Sequence, residues 1–134
     1  MKEKRTILLI SCYELGRPPF GVALLSGLLA QSGFSVETCD LAIETLDKEK
    51  VLRADFVAIS VPMHTALRIG VKAAARVRTL HPTVTVAFFG LYASLNETFL
   101  LEEVADFVIG GEYEGALVSL MTALSSGADV DVAG

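Results

Sequence analysis

Hydroxyl-bearing residues, glycines and tyrosines recur just after five short apolar runs of the sequence. They are Ser11, Tyr13, Gly16, Gly21, Ser60, Thr65, Gly90, Tyr92, Gly110, Gly111 and Tyr113. Glycine lets a planar or bulky ligand lie against the backbone, and hydroxyl groups and backbone amides form neutral hydrogen bonds with amide-bearing groups. The pattern therefore predicts a binding site for a large ligand, although ordinary turn chemistry explains any single one of these residues equally well.

Phosphate chemistry finds little support in the same segments. The first of them carries Gly16 and Gly21 but no G-x-G-x-x-G fingerprint, and no lysine follows a glycine run as it does in a Walker motif. A phosphoacceptor receiver domain needs an aspartate at the end of its third strand and acidic residues after the first to hold magnesium. Ser60 and Ser11-Cys12 occupy those places, so the receiver function fails on chemistry.

Metal binding and nucleophilic catalysis are also weakly indicated. Cys12, Cys39, His64 and His81 include no close-spaced ligand pair, so we expect no metal ligand among them. Cys12 or Ser60 beside His64 is a conceivable nucleophile and base, but no third group that orients the base is evident. The cysteines are more simply explained as small buried thiols, and His64 as the first residue of a helix.

The apolar runs predict the element that positions these residues. They cover residues 6–10, 35–39, 56–61, 84–89 and 107–109, and helical patterns follow four of them. Strands that alternate with helices imply a parallel sheet covered on both faces. We predict a three-layer, flavodoxin-like (Rossmann-like) α/β fold with strand order 2-1-3-4-5, in which ligands bind at the carboxyl ends of the strands.

The helices are predicted from apolar periodicity and from end signals. The first opens at Gly21 and has Gly33 at its carboxyl cap; the second covers residues 45–53, capped by Thr45 or Asp47. The third covers residues 64–80, and its small residues permit close approach to the sheet. Ser94 and Glu97 predict a capping box for a helix that runs to about residue 103, and the last helix covers residues 115–125.

Composition narrows the class of protein further. The chain has 134 residues, of which 52% are apolar, which is enough for one domain with a buried core. The net charge of −5 disfavours a nucleic-acid partner; Arg68, Lys72 and Arg76 at i, i+4 and i+8 are interpreted as a solvated helix face. No apolar run is long enough to span a membrane, and the two cysteines favour a reducing cytoplasm.

The carboxyl-terminal residues have the composition of a linker. From Ser125 onwards, small and acidic residues replace the helical pattern. We therefore expect a domain over residues 1–126, and over residues 127–134 the start of a linker to a further, C-terminal domain.

Several motifs, in their order along the chain, resemble a known family. The motifs are Arg17-Pro18-Pro19-Phe20-Gly21-Val22-Ala23-Leu24-Leu25, Gly33-Phe34-Ser35-Val36 with Asp40, Ala54-Asp55-Phe56-Val57-Ala58-Ile59-Ser60, Gly90, and Val108-Ile109-Gly110-Gly111-Glu112. Together they are similar to the cobalamin-binding domain that precedes the catalytic domain of radical S-adenosylmethionine (radical SAM) proteins. The resemblance covers nearly the whole chain.

The resemblance implies a cofactor-binding module with no catalysis of its own. Cobalamin would lie across the strand ends and contact Ser11, Tyr13, Gly16, Pro19, Gly21, Ser60, Pro62, Met63, His64, Thr65, Gly90, Tyr92, Gly110, Gly111 and Glu112. The wider cobalamin-binding fold supplies a cobalt ligand from a DxHxxG motif; here Glu14-Leu15-Gly16-Arg17 contains no histidine, so no metal ligand is assigned.

The resemblance also implies a partner. The radical SAM machinery needs a CxxxCxxC triad for a [4Fe–4S] cluster, and two cysteines cannot supply it. The cluster and S-adenosylmethionine would therefore belong to a C-terminal catalytic domain, with which this chain would pack; homodimerisation is compatible with that arrangement. Two alternatives stay open: a docking domain that holds no cofactor, and a small enzyme that uses Cys12 or His64.

Overall fold

A computed structural model of the chain describes residues 5–11, 20–41, 44–61, 64–90, 93, 95–109 and 118–123, with the backbone alone at 20–24, 64 and 65. Five parallel strands form one sheet in the order β2-β1-β3-β4-β5, which confirms the predicted flavodoxin-like fold. The strands are β1 (Thr6–Ser11), β2 (Ser35–Asp40), β3 (Phe56–Ser60), β4 (Thr85–Phe89) and β5 (Phe107–Ile109). The chain order reverses at β1, which pairs with both β2 and β3.

Helices cover both faces of the sheet. They are α1 (Phe20–Gln31), α2 (Lys48–Arg53), α3 (His64–Leu80), α4 (Glu97–Glu103) and α5, whose described part is 118–123. Buried residues of α1 and α5 share one core cluster with one face of the sheet, and those of α2, α3 and α4 share a second cluster with the other face. The inner strands β1, β3 and β4 are almost wholly apolar because both of their faces are buried, whereas the edge strand β2 is mostly polar and partly exposed.

Local sequence explains most helix ends. Gly33 has φ +95° after α1, and the amides of Gly33 and Phe34 donate to the carbonyls of Ala30 and Leu29, as in a Schellman motif. Asp47 caps α2 by accepting hydrogen bonds from the backbone amides of Glu49 and Lys50. The cap at Gly33, the cap at Asp47 and the bounds of α3 are therefore confirmed, whereas α2 begins at Lys48 and not at residue 45.

The predicted cap of α4 is wrong. The residue that precedes the helix is Asn96, whose side chain makes no capping hydrogen bond, so Glu97 is the first helical residue and not the third. A capping box requires the serine at the N-cap and the glutamate three residues later. Ser94 itself lies outside the described residues.

Close packing of α3 on the sheet depends on Gly70. A methyl group added at Gly70 would lie 3.2 Å from Ile59 Cγ2 and 3.3 Å from Phe88 Cε2. The helix backbone thus rests almost directly on β3 and β4, and the expected role of small residues in α3 is confirmed. This contact holds α3 against β3 and β4.

The amino ends of the strands are joined by aspartate side chains. Asp55 Oδ2 accepts the backbone N–H of Thr6 at 2.8 Å, and Asp106 Oδ2 accepts that of Val86 at 2.8 Å. In return, the amides of Asp55 and Asp106 donate to the carbonyls of Thr6 and Val86, each at 2.8 Å. Each aspartate precedes one strand and accepts a backbone N–H near the start of the neighbouring strand, from the first residue of β1 and the second residue of β4.

Two basic side chains complete this amino edge. The Arg78 guanidinium donates to Asp106 Oδ2 at 2.7 Å and to the carbonyls of Val84 and Val104 at 2.8 and 3.3 Å. His81 Nε2 lies 3.1 Å from the carbonyl oxygen of Ala54; because a carbonyl oxygen only accepts, Nε2 is the protonated nitrogen. The end of α3 is thereby fixed to the starts of β3, β4 and β5.

Candidate functional site

The carboxyl ends of the strands form one row of side chains across the sheet. Register pairs Ser11 with both Asp40 and Ser60, Ser60 with Phe89, and Phe89 with Ile109. Alternation along each strand places all five side chains on the face covered by α1 and α5, where Phe89 and Ile109 join the core cluster. The row is polar over β2, β1 and β3, and apolar over β4 and β5.

Ser11 and Ser60 lie side by side in the polar half of this row. They are the buried polar side chains of the described residues, with 3% and 6% of their surface exposed. Neither hydroxyl has a hydrogen-bond partner among the described residues. Burying a hydroxyl without a partner costs about 1–3 kcal/mol, so these two groups are the strongest candidates to bind a polar ligand at this edge.

Gly90 follows β4 at the same edge and makes a close backbone contact. It has φ +110°, and an added Cβ would lie 2.8 Å from the carbonyl oxygen of Val61. The Val61 amide donates to the Phe89 carbonyl at 2.8 Å, which joins the exits of β3 and β4. The exits of β1 and β2 are joined similarly, by the amide of Leu41 and the carbonyl of Ser11 at 2.8 Å. This edge is therefore assembled through backbone atoms.

The structure brings three of the predicted site residues, Ser11, Ser60 and Gly90, to one edge. For Gly21, His64 and Thr65 the backbone is described, and it lies in the first turns of α1 and α3. Neither first turn contains an acidic residue, so the positive ends of both helix dipoles favour electron-rich ligand atoms. The other predicted site residues lie outside the described residues: Tyr13, Gly16, Pro19, Pro62, Met63, Tyr92, Gly110, Gly111 and Glu112.

Asp40 and Phe89 belong to the same row, but the sequence reasoning did not include them in the site. Their signal is positional, because each is the last residue of its strand and the strand ends align in register. Asp40 adds a carboxylate beside Ser11, and Phe89 adds an apolar surface beside Ser60. The row therefore passes from a carboxylate through two hydroxyls to an aromatic side chain, and Phe89 is fully buried in the core.

Metal coordination and thiol catalysis find no support in the described part of the chain. No group of three histidine, cysteine or acidic side chains there could hold a metal ion. His81 lies at the opposite edge, beside Ala54. Burial raises the pKa of the Cys39 thiol to about 11, which makes it a poor nucleophile at neutral pH. Cys12 and the side chain of His64, which a Cys/His enzyme would use, lie outside the described residues.

The sequence predicts no segment that spans a membrane, and the lengths and polarities of the described helices test this prediction. Within the described residues, each helix is too short or too polar to cross a bilayer.

The fold and this edge define an open α/β domain whose candidate site lies at the strand ends. Solved structures with this fold include a CheY-like response regulator receiver domain protein from Methanospirillum hungatei JF-1, with a TM-score of 0.67 and 16% identity over 93% of this chain and 96% of that one. An orphan response regulator of H. pylori aligns with a TM-score of 0.63 and 21% identity over 89% of this chain and 94% of that one. Identities this low show the shared fold alone.

Family membership comes from the sequence. Residues 7–121 match the B12-binding domain family, described as the B12 binding domain. The match covers most of the chain, so the protein belongs to that family and is a module of the cobalamin-binding type. A search of curated proteins found no match.

The receiver-like fold does not bring receiver chemistry with it. β3 ends at Ser60 and β1 ends at Ser11, where a phosphoacceptor domain would need carboxylates. A serine hydroxyl carries no negative charge, so neither residue offers a magnesium ion the carboxylate ligand that it prefers. The ends of β1 and β3 in this chain therefore lack the carboxylates that a phosphoacceptor site requires.

Proposed function

We propose that this chain binds cobalamin across the carboxyl ends of its strands. The observation that carries the proposal is the pair of adjacent buried hydroxyls at Ser11 and Ser60, at the ends of two neighbouring central strands. The corrin ring of cobalamin carries amide side chains, and hydroxyl groups both donate to and accept from amides. Membership of the B12-binding domain family supports the same ligand.

The residues at this edge of the sheet fit cobalamin. Ser60 and Ser11 would supply polar contacts, and Gly90 keeps the backbone free of a side chain where two strand exits meet. The segment between β1 and α1 contains no histidine, so the proposed mode gives cobalt no histidine ligand from a DxHxxG motif. When bound, cobalamin would supply a cobalt centre for methyl transfer or electron relay.

We further propose that the module belongs to a radical SAM enzyme and packs against its catalytic domain. This part of the proposal is supported by the order of the motifs from Arg17 to Glu112. The [4Fe–4S] cluster and S-adenosylmethionine would bind to the catalytic domain, because this chain has two cysteines and no triad. The coding sequence beyond Gly134 tests this directly: we expect a CxxxCxxC motif, and a stop codon would contradict the proposal.

Cobalamin binding is tested with the purified chain and hydroxocobalamin. After gel filtration, we expect the protein fraction to retain the visible spectrum of the corrin. Ser60→Ala should weaken retention, whereas Ser35→Ala should not, since Ser35 is an exposed serine at the amino end of β2. Absence of retained corrin at high protein concentration would reject the proposal, and equal effects of the two variants would reject the role of Ser60.

A docking domain without cofactor is the second candidate, and one observation favours it. Leu95, Phe99 and Leu101 are exposed on or beside α4, and apolar side chains grouped on an outer helix are typical of interaction surfaces. Such a surface is compatible with cofactor binding at the strand ends, because α4 covers a face of the sheet and not its edge. Failure to hold corrin in a correctly folded protein would favour this second candidate.

A further inference from the structure

The outer surface of α3 carries a row of basic side chains. Arg68, Lys72 and Arg76, called here the α3 stripe, are all exposed, and their spacing of four residues aligns them on one side of the helix. The row is about 12 Å long at 1.5 Å per residue. No member of it forms an ion pair with a described residue.

The outer surface of α4 carries apolar and acidic side chains. The α4 patch consists of Leu95, Phe99, Glu102 and Glu103; the first two expose 66% and 48% of their surface, and both glutamates are exposed. Within the described residues, neither glutamate forms an ion pair. An apolar centre rimmed by charge is the usual composition of a protein interface.

Some charges elsewhere on this layer are paired within the molecule. Arg53 contacts Glu37 at 2.7 Å on the outside of α2, and Arg78 contacts Asp106 at 2.7 Å at the end of α3. The α3 stripe and the α4 patch differ from these pairs, because each presents several charges of one sign without a described partner of the other sign.

The two surfaces are neighbours in the same layer. Arg78, near the end of α3, donates to the carbonyl of Val104, the residue that follows α4, at 3.3 Å. Both helices also pack on one core cluster, through Ala74 and Val77 of α3 and Leu100 of α4. A basic surface thus lies beside an acidic and apolar surface, and both face away from the sheet.

We propose that this layer is the interface of a homodimer. A two-fold axis between α3 and α4 would place the α3 stripe of each copy on the α4 patch of its partner. The interface would then contain the same contact between basic and acidic side chains twice. It would also cover Leu95 and Phe99. Pairing of stripe with stripe would set like charges against each other, so charge complementarity selects this arrangement. The inference does not depend on cobalamin, whose proposed site is at the strand ends.

The test uses two charge-reversal variants of the 134-residue chain. One carries Arg68→Glu and Lys72→Glu, and the other carries Glu102→Lys and Glu103→Lys. We expect the wild type to sediment as a dimer that weakens as salt is added, and each variant alone to dimerise more than about tenfold less tightly. Mixing the two variants should restore dimers, because each reversed surface then meets a complementary one.

The matched control is Lys48→Glu, which changes an exposed charge on α2 away from both surfaces and should leave the dimer intact. Circular dichroism confirms that every variant is folded, and restoration in the mixture shows that each kept its structure. A wild type that remains monomeric at the highest concentration reached would overturn the proposal, as expected if the catalytic domain is what covers α4. Dimers that persist in both separate variants would overturn it too.

Discussion

At the amino edge of the sheet, side chains bind the backbone of neighbouring strands; at the carboxyl edge, backbone groups bind one another and two serine hydroxyls are buried beside them. Asp55 and Asp106 accept backbone N–H groups near the starts of β1 and β4, and Arg78 joins three segments. At the other edge, Ser11 and Ser60 have no described hydrogen-bond partner. The amino edge thus serves stability, and the carboxyl edge leaves polar groups available for a ligand, as expected for open α/β sheets.

Disrupting the backbone contact at the carboxyl edge should have the largest effect. Gly90→Ala places a Cβ 2.8 Å from the Val61 carbonyl oxygen at φ +110°, so it combines backbone strain with a clash that the backbone must move to relieve. We expect a loss of about 3 kcal/mol in the free energy of unfolding, measured by urea denaturation.

Gly33→Ala is the matched control for that change. Gly33 also has a positive φ, +95°, but an added Cβ would meet nothing within 4 Å. Its cost should be the strain alone, about 1–2 kcal/mol. Equal losses of unfolding free energy in the two variants would show that the close approach of Gly90 to Val61 adds nothing to the cost of the substitution.

Removing an aspartate from the amino edge should have the next largest effect. Asp106→Ala deprives the Val86 amide of its acceptor and leaves the half-buried Arg78 without its carboxylate partner. We expect a loss of about 2 kcal/mol in the free energy of unfolding, with cobalamin retention unchanged. Glu102→Ala, which removes an exposed carboxylate without a described partner, should change stability by less than about 0.5 kcal/mol. A similar loss in both variants would contradict the special role of the amino edge.

The sequence predicts the fold better than it predicts these edge contacts. Strand order follows from short crossovers, and the bounds of α3 follow from its periodicity and from Pro82 just beyond it. The tetrapeptide Ala-Asp-Phe-Val occurs at residues 54–57 and again at 105–108, and its last two residues begin β3 and β5. Its purpose is not evident from sequence, because each aspartate bonds to a strand that is distant along the chain.

Register limits what the sequence reveals of the candidate site. Ser11, Ser60 and Gly90 were predicted from loop composition, and they do meet at one edge. Asp40 and Phe89 were missed as site residues because membership of the row depends on which strand residues are paired. The cap of α4 also differs from the prediction, because Glu97 is the first residue of the helix and not the third, as a capping box requires.

The ion pair between Arg53 and Glu37 belongs to neither edge, and a pH titration tests its contribution to stability. Hydrogen bonds from Arg53 hold the pKa of Glu37 below its usual value, so this pair stabilises the fold at neutral pH. The contribution is present above the unfolded-state pKa and is lost as pH falls through the lower folded-state pKa. We expect the unfolding free energy of the wild type to fall slightly more than that of Glu37→Gln as pH drops below about 5. Parallel curves would contradict this assignment.

Replacing the buried serines should have the smallest effect on stability and the clearest effect on binding. If Ser11 and Ser60 have no partner in the ligand-free protein, Ser11→Ala with Ser60→Ala removes two unsatisfied hydroxyls. The protein should then be as stable as the wild type, or up to about 1 kcal/mol more stable. Retention of hydroxocobalamin should nevertheless fall, because the polar contacts to the corrin amides are gone. A loss of more than about 1 kcal/mol would show that both hydroxyls serve internal hydrogen bonds, and the contrast between the edges would then disappear.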